Sequence, residues 1–224
     1  MKFICLLLTG MLLTGCIGDD IIFDTVEETV RISNPIDSLQ VGDTFQFTAS
    51  YLNNIGVEEN QTILWSSSDP SKASIAEDGT ATGIELGQTQ IIARVELPTK
   101  TVADSMLLNI SNTTTTPPAV TERSGSIVTT SSYLLQGDFT LREDNGDLIL
   151  EFDSNYAASS ALPGLYVYLT NNPNTNNNAF EIGEVTTFSG AHSYIISGIE
   201  LNQYDYLLYY CKPFSVKVGD GDIE

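Results

Sequence analysis

Thr44-Phe45-Gln46-Phe47-Thr48-Ala49 places an apolar side chain at every second residue, and this step of two recurs through the first half of the chain. Val30-Arg31-Ile32, Ile63-Leu64-Trp65-Ser66, Ile91-Ile92-Ala93-Arg94-Val95 and Met106-Leu107-Leu108-Asn109-Ile110 repeat it. Between them stand turn clusters: Val41-Gly42-Asp43, Ser68-Asp69-Pro70, Glu77-Asp78-Gly79 and Leu86-Gly87-Gln88. Alternation of period two marks strands buried on one face, and turns roughly every ten residues point to an antiparallel sandwich. No helical period is sustained here. The expected fold class is all-β.

Particular stretches go further. Leu39-Gln40-Val41-Gly42-Asp43-Thr44, then Trp65-Ser66-Ser67-Ser68-Asp69-Pro70, then Ala73 through Gly83 and Gly87 through Ala93, resemble the bacterial Ig-like group 2 domain over residues 29–111. The resemblance implies an N-terminal Ig-like β-sandwich, a spacer or adhesion module with no catalytic machinery. Trp65 is expected to fill the space between the sheets, where aromatic burial dominates core energetics, in preference to serving as a ligand-stacking platform. Asp78-Gly79 suits a positive-φ hairpin turn, and Gly83 and Gly87 suit tight reversals.

Asn112-Thr113-Thr114-Thr115-Thr116-Pro117-Pro118 lacks apolar content for a core and favours extended backbone, so residues 112–120 read as a semi-rigid linker. Residues 121–224 are again strand-like. Leu134 to Leu141 leads into a turn at Asp144-Asn145-Gly146-Asp147, and Leu148-Ile149-Leu150-Glu151-Phe152 returns. Leu165 to Thr170, Phe180 to Val185, His192 to Ile196, Tyr206 to Cys211 and Phe214 to Val218 are further strands, with an Asn-rich loop at 171–178. Gly137-Asp138-Phe139, Pro163 to Leu169, Ile182-Gly183-Glu184, Gly190 to Tyr194 and Tyr210-Cys211-Lys212-Pro213-Phe214-Ser215-Val216 resemble the DM13 domain, which implies a second, C-terminal β-sandwich. Cys211 falls where that family carries its hallmark cysteine, and Tyr210 replaces the tryptophan that commonly precedes it. The family's proposed role in electron transfer makes Cys211 the candidate redox residue.

The residues themselves leave two readings of Cys211 open. Cys5 lies in the export segment described below and Cys16 is the expected lipidation site, so Cys211 would be the sole thiol of the mature chain. An unpaired cysteine in an exported protein is a candidate reactive thiol, cycling through sulfenic acid or a mixed disulfide. A free cysteine is also among the most buried residue types and packs as a small hydrophobe. Strand alternation sets Tyr209 and Cys211 on one face and Leu208 and Tyr210 on the other. Both faces are apolar, which favours packing. Lys212 is the nearest cation able to favour a thiolate.

Other chemistry is sparse. His192 is the only histidine, so no His-based metal cluster is available, and a surface position is expected for it. Glu151, Asp153, Glu181 and Glu184 are dispersed carboxylates with weak claims to general acid–base work. Asp220, Asp222 and Glu224 lack the spacing of a calcium loop. A haem would have only His192 and Met106 as axial ligands. No phosphate-cradling glycine loop appears. No cofactor or metal site is expected.

The N-terminus speaks to location. Lys2 and the apolar run from Phe3 to Leu13 form a short export signal over residues 1–15, too short to span a bilayer about 30 Å thick. Leu13-Thr14-Gly15-Cys16 resembles the bacterial lipoprotein box, which implies acylation at Cys16, palmitate included, and attachment to the lipid bilayer. Residues 16–28 then form an acidic tether, in keeping either with surface export or with a solvated spacer. The chain's net charge of −20 makes nucleic acid and anionic lipid poor partners. The expectation is a lipid-anchored outer-membrane protein of the cell envelope whose head binds an unknown envelope or extracellular protein or glycan. The alternative is an extracytoplasmic redox module using Cys211.

Overall fold

A computed structural model describes residues 24–224; the export segment, Cys16 and the first part of the tether lie outside the described residues. The first half carries β1 (Thr29–Ile32), β2 (Ser38–Gln40), β3 (Thr44–Gln46), β4 (Ala49–Leu52) and β5 (Leu64–Ser67). Then follow β6 (Ala73–Ile75), β7 (Thr80–Gly83), β8 (Gly87–Glu96) and β9 (Thr101–Ser111). Strands β2-β9-β8-β5 form one sheet, β3-β7-β6 a second, and β1 pairs with β4. Alternation does the sorting. Ile91, Ala93 and Val95 of β8 point inward and meet Leu39, Phe47, Ala73, Ala81 and Leu108 in one core, with Thr89 buried on the same face. The run from Thr44 to Ala49, read as a single strand, is broken after Gln46, and the chain resumes in β4. Gly79 holds its turn at φ +87°, and a Cβ there would lie 2.7 Å from the Phe47 carbonyl and against the Trp65 ring.

The second half carries β10 (Glu122–Thr129), β11 (Leu135–Asp144), β12 (Asp147–Phe152), β13 (Ala157–Ala158) and β14 (Leu165–Thr170). It ends with β15 (Phe180–Glu184), β16 (His192–Ser197), β17 (Tyr206–Cys211) and β18 (Val216–Asp222). These join in one continuous sheet ordered β15-β14-β17-β18-β10-β11-β12-β16, with β13 added beside β11. The sandwich is therefore one sheet closed over itself, barrel-like. Phe152 on β12 and Tyr209 on β17 are four strand steps apart, about 19 Å in a flat sheet, yet their ring centroids are 6.5 Å apart. Strands β10 and β18 come closest where a side chain is missing: a Cβ on Gly125 of β10 would strike the Asp222 carbonyl and the Phe139 ring. The stretch from Phe214 to Val218, read as one strand, instead opens with a 3-10 turn at Lys212–Phe214, and β18 begins at Val216.

The two halves dock. In the Asn-rich loop, Asn172 is 1 % exposed and its Nδ2 donates to Asp24 O at 2.6 Å and Ile55 O at 3.4 Å. Asn174 Nδ2 donates to Thr25 O at 3.0 Å. Arg31 of β1 pairs with the Asp205 carboxylate and donates to Asn202 O at 3.2 Å. Gly56 lies so close to Asn171 that a Cβ would be 2.8 Å from its backbone. The tether thus ends as ordered chain in the seam, with Val26 N donating to Asn54 O and Lys100 paired to Glu27 and Glu28. Part of the Thr/Pro segment is also held: Thr115 exchanges backbone hydrogen bonds with Ser38, and Ser38 Oγ donates to Thr113 O at 2.7 Å.

Asn172→Ala leaves the Asp24 and Ile55 carbonyls without this donor, a cost of about 1–3 kcal/mol. The variant is expected to lower the melting temperature and raise the radius of gyration in small-angle scattering. Unchanged values of both would refute the seam.

Candidate functional site

Cys211 closes β17, opposite Leu165 on β14 and Val216 on β18. Its side chain turns inward with Leu207 and Tyr209, as alternation requires, and is 1 % exposed. The thiol donates to Pro163 O at 3.4 Å. Over it the chain makes the Lys212–Phe214 turn, seated so closely that a Cβ on Gly164 would be 2.9 Å from the Pro213 ring. Lys212 does not serve the sulfur. Its Nζ lies 2.7 Å from the Glu181 carboxylate and 4.6 Å from the centre of the Tyr166 ring.

Beyond Cys211 the same inward face presents an aromatic cluster. Tyr209 is fully buried and Tyr156 is 1 % exposed, their centroids 6.3 Å apart. His192 of β16 stacks on Phe152 at 4.7 Å and meets the Tyr156 ring edge-on at 4.6 Å; Tyr194 follows at 5.6 Å from His192. His192 is therefore not the surface residue that its turn-to-strand position suggested. It is half-buried because β16, which pairs with β12 in register Phe152 to His192, carries it onto the core face. Among the described residues no hydrogen-bond partner meets His192 Nε2, while the Tyr156 and Tyr209 hydroxyls act on each other, which favours the phenolate of Tyr156 and disfavours that of Tyr209. Burial pushes the Tyr156 phenol up to about 12, and it drives Tyr209 well above its ordinary value.

Other candidates resolve into packing and ion pairs. Trp65 is half-buried and packs against the first core, its ring centroid 6.1 Å from that of Phe47. Glu151 accepts from Arg142 Nη2 at 3.0 Å and Nε at 3.2 Å, and that guanidinium holds its carboxyl below the usual range. Glu181 is engaged by Lys212 and accepts from Tyr168 Oη at 3.2 Å. Asp138, Asp153, Asp220, Asp222 and Glu224 border a groove of about 600 Å³. Asp220 pairs with Lys217 at 3.0 Å. Among the described residues no group of three or more His, Cys, Asp or Glu side chains converges to hold a metal ion. A larger cleft of about 1020 Å³ opens at the seam between the halves, bordered by Arg31, Arg123, Asn171, Asn202, Gln203 and Tyr204 among others. Sequence reasoning missed this cleft because its walls come from segments that meet only after folding.

Residues 27–104 match the family model of the bacterial Ig-like domain (group 2), and residues 128–223 match that described as electron transfer DM13. The chain is an Ig-like domain followed by a DM13 domain. Among solved structures, domains 5–6 of the S-layer protein SbsC align over 89 % of this chain and 97 % of that one, at 15 % identity and a TM-score of 0.33. Domains 1–6 of the same surface-layer protein align over 89 % of this chain and 40 % of that one, at 10 % identity and a TM-score of 0.30. No curated protein matches the chain.

Within the DM13 domain, the burial of Cys211 and the tyrosines sets two expectations. A chromogenic disulfide reagent should label Cys211 only when the protein is denatured; rapid native labelling would show the thiol open to solvent. Phenols whose folded values are raised contribute stability that is present below the unfolded value near 10 and is lost as pH rises through the folded ones. Spectrophotometric titration should therefore show Tyr156 and Tyr209 ionising last, in step with unfolding. Smooth ionisation of all ten tyrosines near pH 10 would contradict this.

Proposed function

We propose that this is a lipid-anchored protein of the bacterial cell envelope that presents its DM13 domain, braced against the Ig-like domain, to a protein or glycan outside the membrane. The observation that carries the reading is the seam cleft. Its volume falls at the upper end of the range for binding sites, about 300–1,000 Å³, and it is bordered by amide side chains, two arginines and a tyrosine. Amides both donate and accept, which suits hydroxyl-rich or peptide partners. Attachment through acylated Cys16 rests on the Leu13-Thr14-Gly15-Cys16 box, and the net charge of −20 argues against nucleic acid. Replacing Asn202 by a photo-crosslinking residue should capture a discrete, saturable partner in the envelope, while the same residue at Asn145, outside the cleft, should not. Equal capture at both positions would sink the reading. Cys16→Ala should release the protein from the membrane fraction.

A second reading is favoured by the DM13 match, whose family description is electron transfer. Sulfenic acid or mixed-disulfide chemistry needs an approach to the sulfur. Cys211 sits behind the Lys212–Phe214 turn with its thiol on Pro163 O. Electrons need no such approach. A redox role for this domain therefore takes the form of single-electron passage through the core, with Cys211 at its inner end.

A further inference from the structure

The DM13 sheet curls over its core without joining its ends. Strands β15 and β16 are left as edges, each with a line of backbone N–H and C=O groups that no further strand pairs. The two edges are built differently. β15 carries Glu181 and Glu184, and its register against β14 shifts between Val167 and Tyr168; charge and irregularity both keep an edge from recruiting another strand. β16 reads His192-Ser193-Tyr194-Ile195-Ile196-Ser197, with no Lys, Arg, Asp, Glu or Pro. It runs in unbroken register along β12, from His192 opposite Phe152 to Ser197 opposite Asp147. Among the described residues, no backbone hydrogen bond beyond that ladder engages residues 192–197.

Alternation turns Ser193, Ile195 and Ser197 to the outer face, and all three are exposed. Ile195 is 71 % exposed, more than any other large apolar side chain among the described residues. Its cross-strand neighbour on β12 is the half-buried Ile149, so the two make a short apolar ridge that stops at the edge. Glu151 lies opposite Ser193, and Asp147 opposite Ser197. The serines are short, and the Glu151 side chain stays 46 % exposed. One strand further in, Arg142 pairs with Glu151 and Asp144. This outer face therefore sets one cation against three carboxylates.

We propose that β16 takes up an extended cationic segment of a partner protein as an added strand, with a β-branched residue opposite Ile195 and Lys or Arg two positions to either side. None of residues 192–197 borders the seam cleft, so this site stands apart from the cleft and does not depend on it. Backbone hydrogen bonds to the free edge supply affinity, and alternate side chains supply selection. A Val or Ile beside Ile195 extends the apolar ridge by one strand. Lysines opposite Ser193 and Ser197 pass over those hydroxyls toward Glu151 and Asp147, whose backbone is two strand spacings away, about 10 Å. The pattern of cation, any residue, β-branched residue, any residue, cation reads the same in both directions, so parallel and antiparallel addition satisfy it equally. Charge decides against a second copy in this role. Two chains of net charge −20 repel, and each offers the other only an uncharged edge backed by carboxylates.

The test uses the full chain in detergent and the fluorescent peptide Thr-Lys-Thr-Val-Thr-Lys-Thr, with binding read by anisotropy. Saturable binding is expected. Ile195→Lys sets a third cation between the two lysines and should weaken binding by about tenfold or more. Asp147→Asn should weaken it less. Leu107→Lys adds the same charge at an exposed site on the Ig-like domain and should leave binding unchanged; circular dichroism verifies the fold of each variant. Two further peptides leave the protein unaltered. One carries Glu in place of Lys; the other has methylated backbone amides, keeping its charge but unable to pair along an edge. Neither should bind. Equal binding of the methylated peptide would mean attraction by net charge alone and overturns strand addition. Equal binding by the Ile195→Lys protein, or no binding of the parent peptide by the unaltered protein, also overturns it. A concentration-dependent dimer in sedimentation velocity that Ile195→Lys abolishes would give the edge to a second copy and overturn the cationic partner.

Discussion

With no second sheet to cover it, the single sheet of the DM13 domain buries one face by closing over itself, and the meeting of Phe152 with Tyr209 is that closure. The rest of the domain follows from it. The close approach of β10 and β18 requires glycine at Gly125, where the two strands leave no room for a side chain. Because β17 is central in its half of the sheet, alternate residues Leu207, Tyr209 and Cys211 all fall inside. The closure also seals the thiol and holds the Tyr156 and Tyr209 hydroxyls and His192 Nε2 away from water. The chemistry open to this core is therefore that of groups out of reach of solvent.

Where one face of a strand is buried, the chain declares itself. The inward positions Thr89, Ile91, Ala93 and Val95 of β8 can be read directly from period two, as can Leu148, Leu150 and Phe152 of β12. The turns at Asp78-Gly79 and Asn145-Gly146 are equally legible, since each demands positive φ. The burial of Cys211 followed from apolar residues on both faces of its strand. His192 did not yield to this reasoning: its position depends on which strand β16 pairs with, a non-local fact that local alternation does not contain. The same limit hid the seam. Asn172 sits in a polar, Asn-rich run that reads as a solvated loop, and its burial depends on carbonyls 148 and 117 residues away in sequence.

Charge is distributed to match. The chain carries nine basic residues against 29 acidic ones, and cations stand where halves or strands must be joined: Arg31 and Arg123 by Asp205, Lys100 at the tether, Arg142 across β11 and β12. The excess acid is left to face water. Such ion pairs are worth little individually at a surface, so the register they accompany is set by side-chain burial and by the backbone hydrogen bonds of the sheets.

The ordered end of the tether has a mechanical corollary. A pull on the chain ahead of Asp24 does not run first along either sheet. It arrives at the carbonyls of Asp24 and Thr25, where Asn172 and Asn174 grip them, and at the Val26–Asn54 hydrogen bond. These contacts lie in series and load one at a time, as in unzipping, whereas the strands behind them resist in parallel. Tension would therefore strip the tether from the seam before it disturbed either core, loosening the stance of one domain on the other while both stay folded.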